Sequence, residues 1–203
     1  MKHTIIIDSG HGKETAGKRS PMLHDGRRLY EYEYNRKIAN HLETLCKENG
    51  LNSYKICEDE TSPSLYERVK KANRYISEHP DEQCIFFSIH GNAFGNSITE
   101  WQQPYGWECY LAKQVGRQTE ELGQYLCDAI KEIFPKMKLR NLGKPRRENF
   151  SVLVGTKCPA VLSENLFYTN YEDCLMMLDG EFQKKVARAH LNCAINFFKV
   201  YGK

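Results

Sequence analysis

The sequence predicts an α/β fold of three layers, in which a β-sheet lies between helices on both of its faces. Short apolar runs alternate along the chain with longer segments whose apolar residues recur at helical spacing. The short runs are typical of buried strands and the longer segments of amphipathic helices, and their alternation is typical of layered α/β proteins. The chain has 203 residues, of which 40% are hydrophobic and 11% aromatic. This length and composition suit one core, so we expect one domain over residues 1–203.

Short apolar runs, bounded by turn-forming residues, predict the strands. The first run, Ile5-Ile6-Ile7, is β-branched throughout and is soon followed by Gly10, which favours a strand that ends in a turn. A second strongly apolar run leads into His90 and Gly91 in the same way. The predicted strands cover residues 4–7, 52–57, 83–89, 107–112, 150–154 and 160–163.

The predicted helices have recognisable ends. Asn49-Gly50 ends the first helix, because glycine readily takes the left-handed conformation that closes a helix. Ser64 and Glu67 form a capping box that begins the second helix, and Asn170 caps a short one. The predicted helices cover residues 30–48, 64–77 and 118–134, a short segment after 170, and 181–201.

Composition and charge argue against several classes of function. A formal net charge of +3 is too small to indicate a nucleic-acid-binding protein. No apolar stretch is long enough to span a bilayer or to form the core of a signal peptide, so we expect synthesis in the cytoplasm without a signal peptide. The eight cysteines form no C-x-x-C pair, and we expect free thiols rather than a cysteine metal site. A monomer is favoured.

Two histidines follow directly after predicted strands. His11 lies in the segment DSGHG (residues 8–12), and His90 lies in SIHGN (residues 88–92). Open α/β folds bind ligands at the edge of the sheet where strands end, so these two side chains can converge there. Because imidazole is a common metal ligand, the pair indicates a zinc site.

A third ligand and a catalytic base are available from neighbouring elements. Catalytic zinc usually takes three protein ligands, and two histidines with one glutamate are a known hydrolytic set. Either Glu31 or Glu33, in the first turn of the first helix, could face the two histidines, and spacing alone does not choose between them. Glu164 ends the last predicted strand and could point into the same crevice. A carboxylate there that does not bind the metal could act as a general base in amide hydrolysis.

These segments together resemble the zinc-dependent N-acetylmuramoyl-L-alanine amidases of the type 3 family. They occur in the order typical of the family and span nearly the whole chain. The matching segments are IDSGHG (7–12), Glu31 with NRKIA (35–39), Glu67-Arg68, SIHGNA (88–93) and CPAVLSENLFYTN (158–170).

The resemblance implies a function and a site. His11, Glu31 and His90 would hold one zinc ion, Glu164 would be the catalytic carboxylate, and Glu31 is favoured over Glu33. The implied fold is a twisted mixed sheet of about six strands flanked by helices. The implied substrate is peptidoglycan, cut at the amide between N-acetylmuramic acid and L-alanine. Such an enzyme would act at the cell wall once it is released or exported.

The segment around Glu164 departs from the family pattern. Ser163 stands before the glutamate, where another small or apolar residue is more usual, and Leu166 stands two residues after it, where glycine is usual. A peptidoglycan-binding module without catalysis is therefore an alternative hypothesis. Among hydrolases, a zinc carboxypeptidase or a deacylase that acts on another amide is a further alternative.

Other polar and aromatic residues carry weaker indications. The aromatic residues of loop 91–106 could form a platform for a sugar or peptide, or could pack against one another. The basic segment 136–147 could contact anionic groups of the wall, although a solvated connection is favoured. The remaining histidines are expected to be structural: His3, His24, His41, His79 and His190.

Overall fold

A computed structural model describes residues 2–95 and 98–202 as a three-layer α/β sandwich, which confirms the predicted fold class. The strands are β1 (Lys2–Ser9), β2 (Asn52–Lys55), β3 (Glu82–Asn92), β4 (Glu108–Leu111), β5 (Arg146–Arg147) and β6 (Ala160–Phe167). The helices are α1 (Glu31–Glu48), α2 (Leu65–Glu78), α3 (Arg117–Ile133), α4 (Ser151–Gly155), α5 (Tyr171–Leu178) and α6 (Gly180–Tyr201). A 3-10 turn covers Asn141–Gly143. None of the helices among the described residues is both long and apolar enough to cross a lipid bilayer.

The six strands form one mixed sheet in the order β2-β1-β3-β6-β4-β5. Strands β2, β1, β3 and β6 run parallel to one another, whereas β4 pairs with β6 in the antiparallel sense and β5 runs parallel to β4. Parallel strands end at the same edge of a sheet. Strands β1, β3 and β6 are adjacent in the middle of the sheet. Their carboxyl ends therefore lie side by side.

The two faces of the sheet have separate cores. Side chains alternate along a strand, so Ile5 and Ile7 face one way and Ile6 the other. Ile5 and Ile7 belong to the larger core beneath α1, α3 and α6, and Ile6 belongs to the smaller core beneath α2 and α4. Three consecutive buried isoleucines are thus what a central parallel strand requires, because both of its faces are covered.

The prediction of a strand over residues 150–154 was wrong. Ser151–Gly155 forms the short helix α4, which packs against α2 and buries Val152 and Leu153. A five-residue apolar run carries no period that distinguishes a strand from a buried helical turn. The basic segment 136–147, which was expected to be a solvated connection, contains the two-residue strand β5.

All eight cysteines have free thiols, and seven of them are buried. Burial raises the pKa of the Cys46 thiol to about 12 and that of Cys84 to about 11. Such thiols stay protonated and pack as small apolar side chains.

Candidate active site

The turn after β1 places His11 at the rim of the sheet. Gly10 follows the last residue of β1, and a Cβ atom at this position would lie 2.1 Å from Cε1 of His90. Only glycine therefore allows the His90 ring to lie against this turn. His11 itself has a φ of 60°, in the left-handed region. This unusual conformation turns the chain away from the sheet immediately after Gly10.

His90 lies on β3, next to Glu164 on β6. The register pairs His90 with Glu164, and neighbouring residues in register project from the same face of a sheet. The His90 ring meets the His11 ring edge to face, with 5.0 Å between their centroids. Both predicted histidines are thus brought together at the edge of the sheet.

Glu31 is the first residue of α1 and is fully buried. Its Oε1 lies 3.2 Å from Nδ1 of His90 and 3.4 Å from Nε2 of His11. The backbone N–H of Gly91 donates to the same oxygen over 3.2 Å. Glu33 instead is exposed and accepts a hydrogen bond from Tyr32, so it lies outside this cluster.

His11, Glu31 and His90 form a group that could hold a metal ion. One potential ligand atom from each residue lies within 4.8 Å of the other two. Burial lowers the pKa of His11 to about 4, although Glu31 opposes this shift. For Glu31 burial favours a raised pKa, but the hydrogen bond with His90 and the charge of His11 outweigh it, and the pKa is lowered. His11 and Glu31 thus favour the forms that bind a cation, a neutral imidazole and an ionised carboxylate. For His90 burial favours a lowered pKa, but the hydrogen bond with Glu31 and the nearby carboxylates outweigh it, and the pKa is raised.

Glu164 lines the cleft beside this group without being part of it. Burial raises the pKa of Glu164 to about 8, and the nearby carboxylates Glu31 and Glu108 add to the effect while His90 opposes it. In the described part of the chain, Oε2 of Glu164 has no hydrogen-bond partner. Glu164 thus lies at the cleft with one buried oxygen that makes no hydrogen bond to the described residues.

A buried ion pair holds the loop that carries His11. Arg68 of α2 and Asp8 of β1 are 3% and 1% exposed, and they form a salt bridge. Arg68 also donates to the carbonyl of Ser9 over 2.8 Å and to that of His11 over 3.4 Å. Ser88 of β3 donates to the second oxygen of Asp8 over 2.7 Å. These bonds fix the backbone on both sides of Gly10.

The cleft above the site has a volume of about 640 Å³. The N-terminus of α2 and residues 149–152, at the start of α4, both line this cleft. The floor carries His11, Glu31, His90 and Glu164. This volume is in the range of sites that bind small molecules or a polymer segment.

Among the described residues of loop 91–106, none of the aromatic side chains lines this cleft. Trp101 packs edge to face against Tyr171, with 5.0 Å between the ring centroids. Tyr105 lies beneath the ammonium of Lys138, which is 4.0 Å from the ring centroid. In the basic segment, Arg140 and Arg146 pair with the buried Glu108. Part of that segment is therefore tied to the sheet by ion pairs.

Comparison with known proteins identifies the family. A family model described as N-acetylmuramoyl-L-alanine amidase matches residues 5–196. The chain belongs to this family. It is 30% identical over 200 residues to the N-acetylmuramoyl-L-alanine amidase LytC of Bacillus subtilis, a match that covers 97% of this chain and 36% of LytC. It is 26% identical over 190 residues to the endolysin of Bacillus phage SPP1, covering 94% of this chain and 64% of the endolysin.

Solved structures of the family have the same fold. The catalytic domain of the amidase CwlV from Bacillus (Paenibacillus) polymyxa superposes with a TM-score of 0.77 at 25% identity, covering 98% of this chain and 99% of that one. An amidase from Clostridium difficile 630 superposes with a TM-score of 0.82 at 24% identity, covering 98% of this chain and 97% of that one. The family is zinc-dependent, and the cluster of two histidines and a glutamate is a candidate metal site.

The residues that support the cluster were not predicted from the sequence. Asp8 and Arg68 lie within the matching segments, but nothing in their spacing showed that they form a buried pair. The available signal was the position of Arg68 on the apolar side of an amphipathic helix, because a buried arginine needs a partner of opposite charge. Lys18, whose Nζ lies 3.8 Å from Oε2 of Glu31, was also missed because loop residues carry no period.

Proposed function

We propose that this protein hydrolyses the amide bond between N-acetylmuramic acid and L-alanine in peptidoglycan, with one zinc ion held by His11, Glu31 and His90. The observation that carries the proposal is the convergence of these three side chains beside Glu164, which remains free of the cluster. Their arrangement in a chain of the amidase family supports this function over a binding module, because binding alone does not require a metal cluster with an adjacent free carboxylate.

The residues fit a zinc ion. Zinc in catalytic sites takes nitrogen and carboxylate-oxygen ligands, three from the protein, and leaves one position open. The buried Glu31 carboxylate has a negative charge, and its Oε2 has no hydrogen-bond partner among the described residues. A cation would compensate this charge. A zinc ion in such a site lowers the pKa of water to about 7 and polarises a carbonyl oxygen.

Glu164 supplies the proton transfers. Its carboxylate would accept a proton from the attacking water and later give it to the leaving nitrogen of L-alanine. A cation held by the neighbouring cluster would favour the ionised form of Glu164 and so offset the effect of burial. Proton transfer by a positioned side chain typically contributes roughly 10²- to 10⁴-fold to the rate.

The test measures metal content and hydrolysis together. Purified protein should bind one equivalent of zinc and release new L-alanine amino termini from insoluble peptidoglycan, and a chelator should stop the release. Glu164→Gln should slow release by roughly 10²-fold or more while keeping the zinc. Glu33→Gln is the control, because Glu33 is an exposed glutamate of α1 that lies outside the cluster, and it should behave as the wild type.

Different outcomes separate the alternatives. Binding to peptidoglycan without release would indicate a binding module, and release of other groups would indicate a carboxypeptidase or deacylase. Unchanged turnover in Glu164→Gln would remove Glu164 from the mechanism.

A further inference from the structure

A side pocket of about 230 Å³ adjoins the candidate active site. It shares Lys18 and Ala93 with the main cleft and continues past Tyr168. Tyr168 and Glu31 both lie against the backbone at Gly91, because a Cβ atom there would be 3.4 Å from the Tyr168 ring and 3.6 Å from Cγ of Glu31. The side pocket therefore begins next to the metal cluster.

The backbone that carries its basic residues is firmly held. The carbonyl of Lys18 accepts a hydrogen bond from the N–H of Glu31 over 2.9 Å, and Arg19 forms an antiparallel bridge with Tyr30. The N–H of Ser20 donates to the carbonyl of Leu29 over 2.9 Å. Lys18 and Arg19 are thus fixed to the start of α1, the helix that positions Glu31.

Basic residues line this side pocket, whereas acidic residues do not. Lys18 and Arg19 both line it, and none of its described lining residues is acidic. The carboxylate nearest to Lys18 is that of Glu31, at 3.8 Å, which exceeds hydrogen-bond distance. In residues 2–95 and 98–202, no salt bridge involves Arg19, and its buried Nε has no hydrogen-bond partner. Two such cations beside a cleft favour an anionic group of the ligand.

The chemistry of the proposed substrate indicates which anion this is. The carboxyl group of the muramoyl residue is consumed in the scissile amide, so that residue has no free carboxylate. A peptide residue keeps its α-carboxylate when it ends the peptide or is joined onward through its side chain. Such a carboxylate on the second residue lies roughly 7 Å from the scissile bond, at about 3.5 Å per residue. A pocket that adjoins the cluster is within this reach.

We propose that Lys18 and Arg19 form a carboxylate-binding subsite for the peptide side of the substrate, and that they select for a free α-carboxylate on its second residue. This inference rests on the proposed amidase function. It also orients the substrate, with the peptide towards Lys18 and the glycan towards the opposite end of the cleft.

The test compares two synthetic N-acetylmuramoyl peptides that differ only at the second residue, which has a free α-carboxylate in one and a carboxamide in the other. The wild type should cleave the acid with a kcat/KM roughly tenfold higher, as expected for one charge-assisted hydrogen bond at a partly exposed site. Arg19→Gln and Lys18→Met should each bring this ratio towards one. Lys13→Met is the matched control, since Lys13 lies in the same loop but pairs with Glu60, and it should keep the wild-type ratio.

A binding measurement keeps the inference separate from the proposed function. The free peptides of the two substrates should bind zinc-loaded Glu164→Gln with affinities that differ about tenfold in favour of the acid, and Arg19→Gln should remove the difference. Equal binding of acid and amide, with normal cleavage of both substrates, would overturn the subsite and leave the amidase proposal intact. Failure of the wild type to cleave either substrate would overturn the amidase proposal, and the binding ratio would still decide the subsite.

Discussion

Replacing Arg68 by methionine should strongly destabilise the fold, because it leaves the Asp8 carboxylate buried without its countercharge. Both side chains are almost fully buried, and among the described residues the Asp8 side chain would retain the hydroxyl of Ser88 and the weak donor Cys57 as hydrogen-bond partners. Removal of one partner from a buried ion pair costs about 3–5 kcal/mol. This is a large part of the roughly 5–15 kcal/mol that stabilises a typical domain. Urea denaturation followed by circular dichroism measures the loss.

A matched control lies on the same helix. Arg74 pairs with Glu78, but these side chains are 74% and 52% exposed. Arg74→Met should cost less than about 1 kcal/mol, because solvent screens an exposed pair. The difference between the losses in the free energy of unfolding of the two methionine variants measures the effect of burial, because residue type, helix and substitution are the same.

A double variant tests the cause of the loss. Asp8→Asn removes the unpaired charge, so combining it with Arg68→Met should recover part of the stability lost in Arg68→Met alone. If the double variant is less stable than Arg68→Met, or if Arg68→Met costs no more than Arg74→Met, the buried charge is not what governs this site.

Arg68→Met should also weaken zinc binding about tenfold or more, because the backbone around His11 loses its donors.

Substitutions at three further positions test local features of the fold. Burial lowers the pKa of His190 to about 4. Between about pH 6.5 and pH 4, His190 is therefore protonated in the unfolded chain but neutral in the folded protein. The contribution of His190 to the free energy of unfolding is complete above pH 6.5 and should fall by up to about 3 kcal/mol as the pH drops to 4. His190→Gln should make the free energy of unfolding less dependent on pH over this range, as measured by urea titrations at several pH values. Leu166 is buried, so both Leu166→Ala and Leu166→Gly should lower the stability of the fold. Its φ of 72° is in the left-handed region, which glycine adopts at lower cost, so the glycine variant should be the more stable of the two by about 1 kcal/mol in thermal unfolding. Ser64→Ala should cost about 1 kcal/mol, because it removes the capping box of α2, and an unchanged melting temperature would contradict that role.

The candidate site was predictable because its residues stand next to strong local signals. His11 and His90 each follow an apolar run and a glycine lies beside each, and parallel strands that end at one edge bring such residues together. The choice of Glu31 over Glu33 needed the family resemblance, since both lie in the first turn of α1. The structure explains that choice, because the first residue of the helix faces the sheet and the third faces solvent.

Features that depend on distant contacts were not predictable. Asp8 and Arg68 are 60 residues apart, and no local pattern in the sequence links them. Helix α4 exists because Val152 and Leu153 fill the space over the sheet beside α2, and this space is defined only after the sheet has formed. Such tertiary effects override the local preference of a short apolar run.

The departure from the family pattern after Glu164 has a structural explanation. The pairing of β3 with β6 shifts register between His90 and Asn92, and Leu166 lies at this irregularity with the positive φ that glycine would accept at lower cost. The neighbouring Asn165 is fully buried, donates to the carbonyl of His90 over 3.0 Å, and accepts from the indole N–H of Trp107 over 2.8 Å. Backbone strain of about 1–3 kcal/mol persists only where surrounding contacts enforce the conformation, and these bonds do so. Leu166 therefore leaves the pairing of His90 with Glu164 in place, and the altered segment gives no structural reason to expect a loss of catalysis.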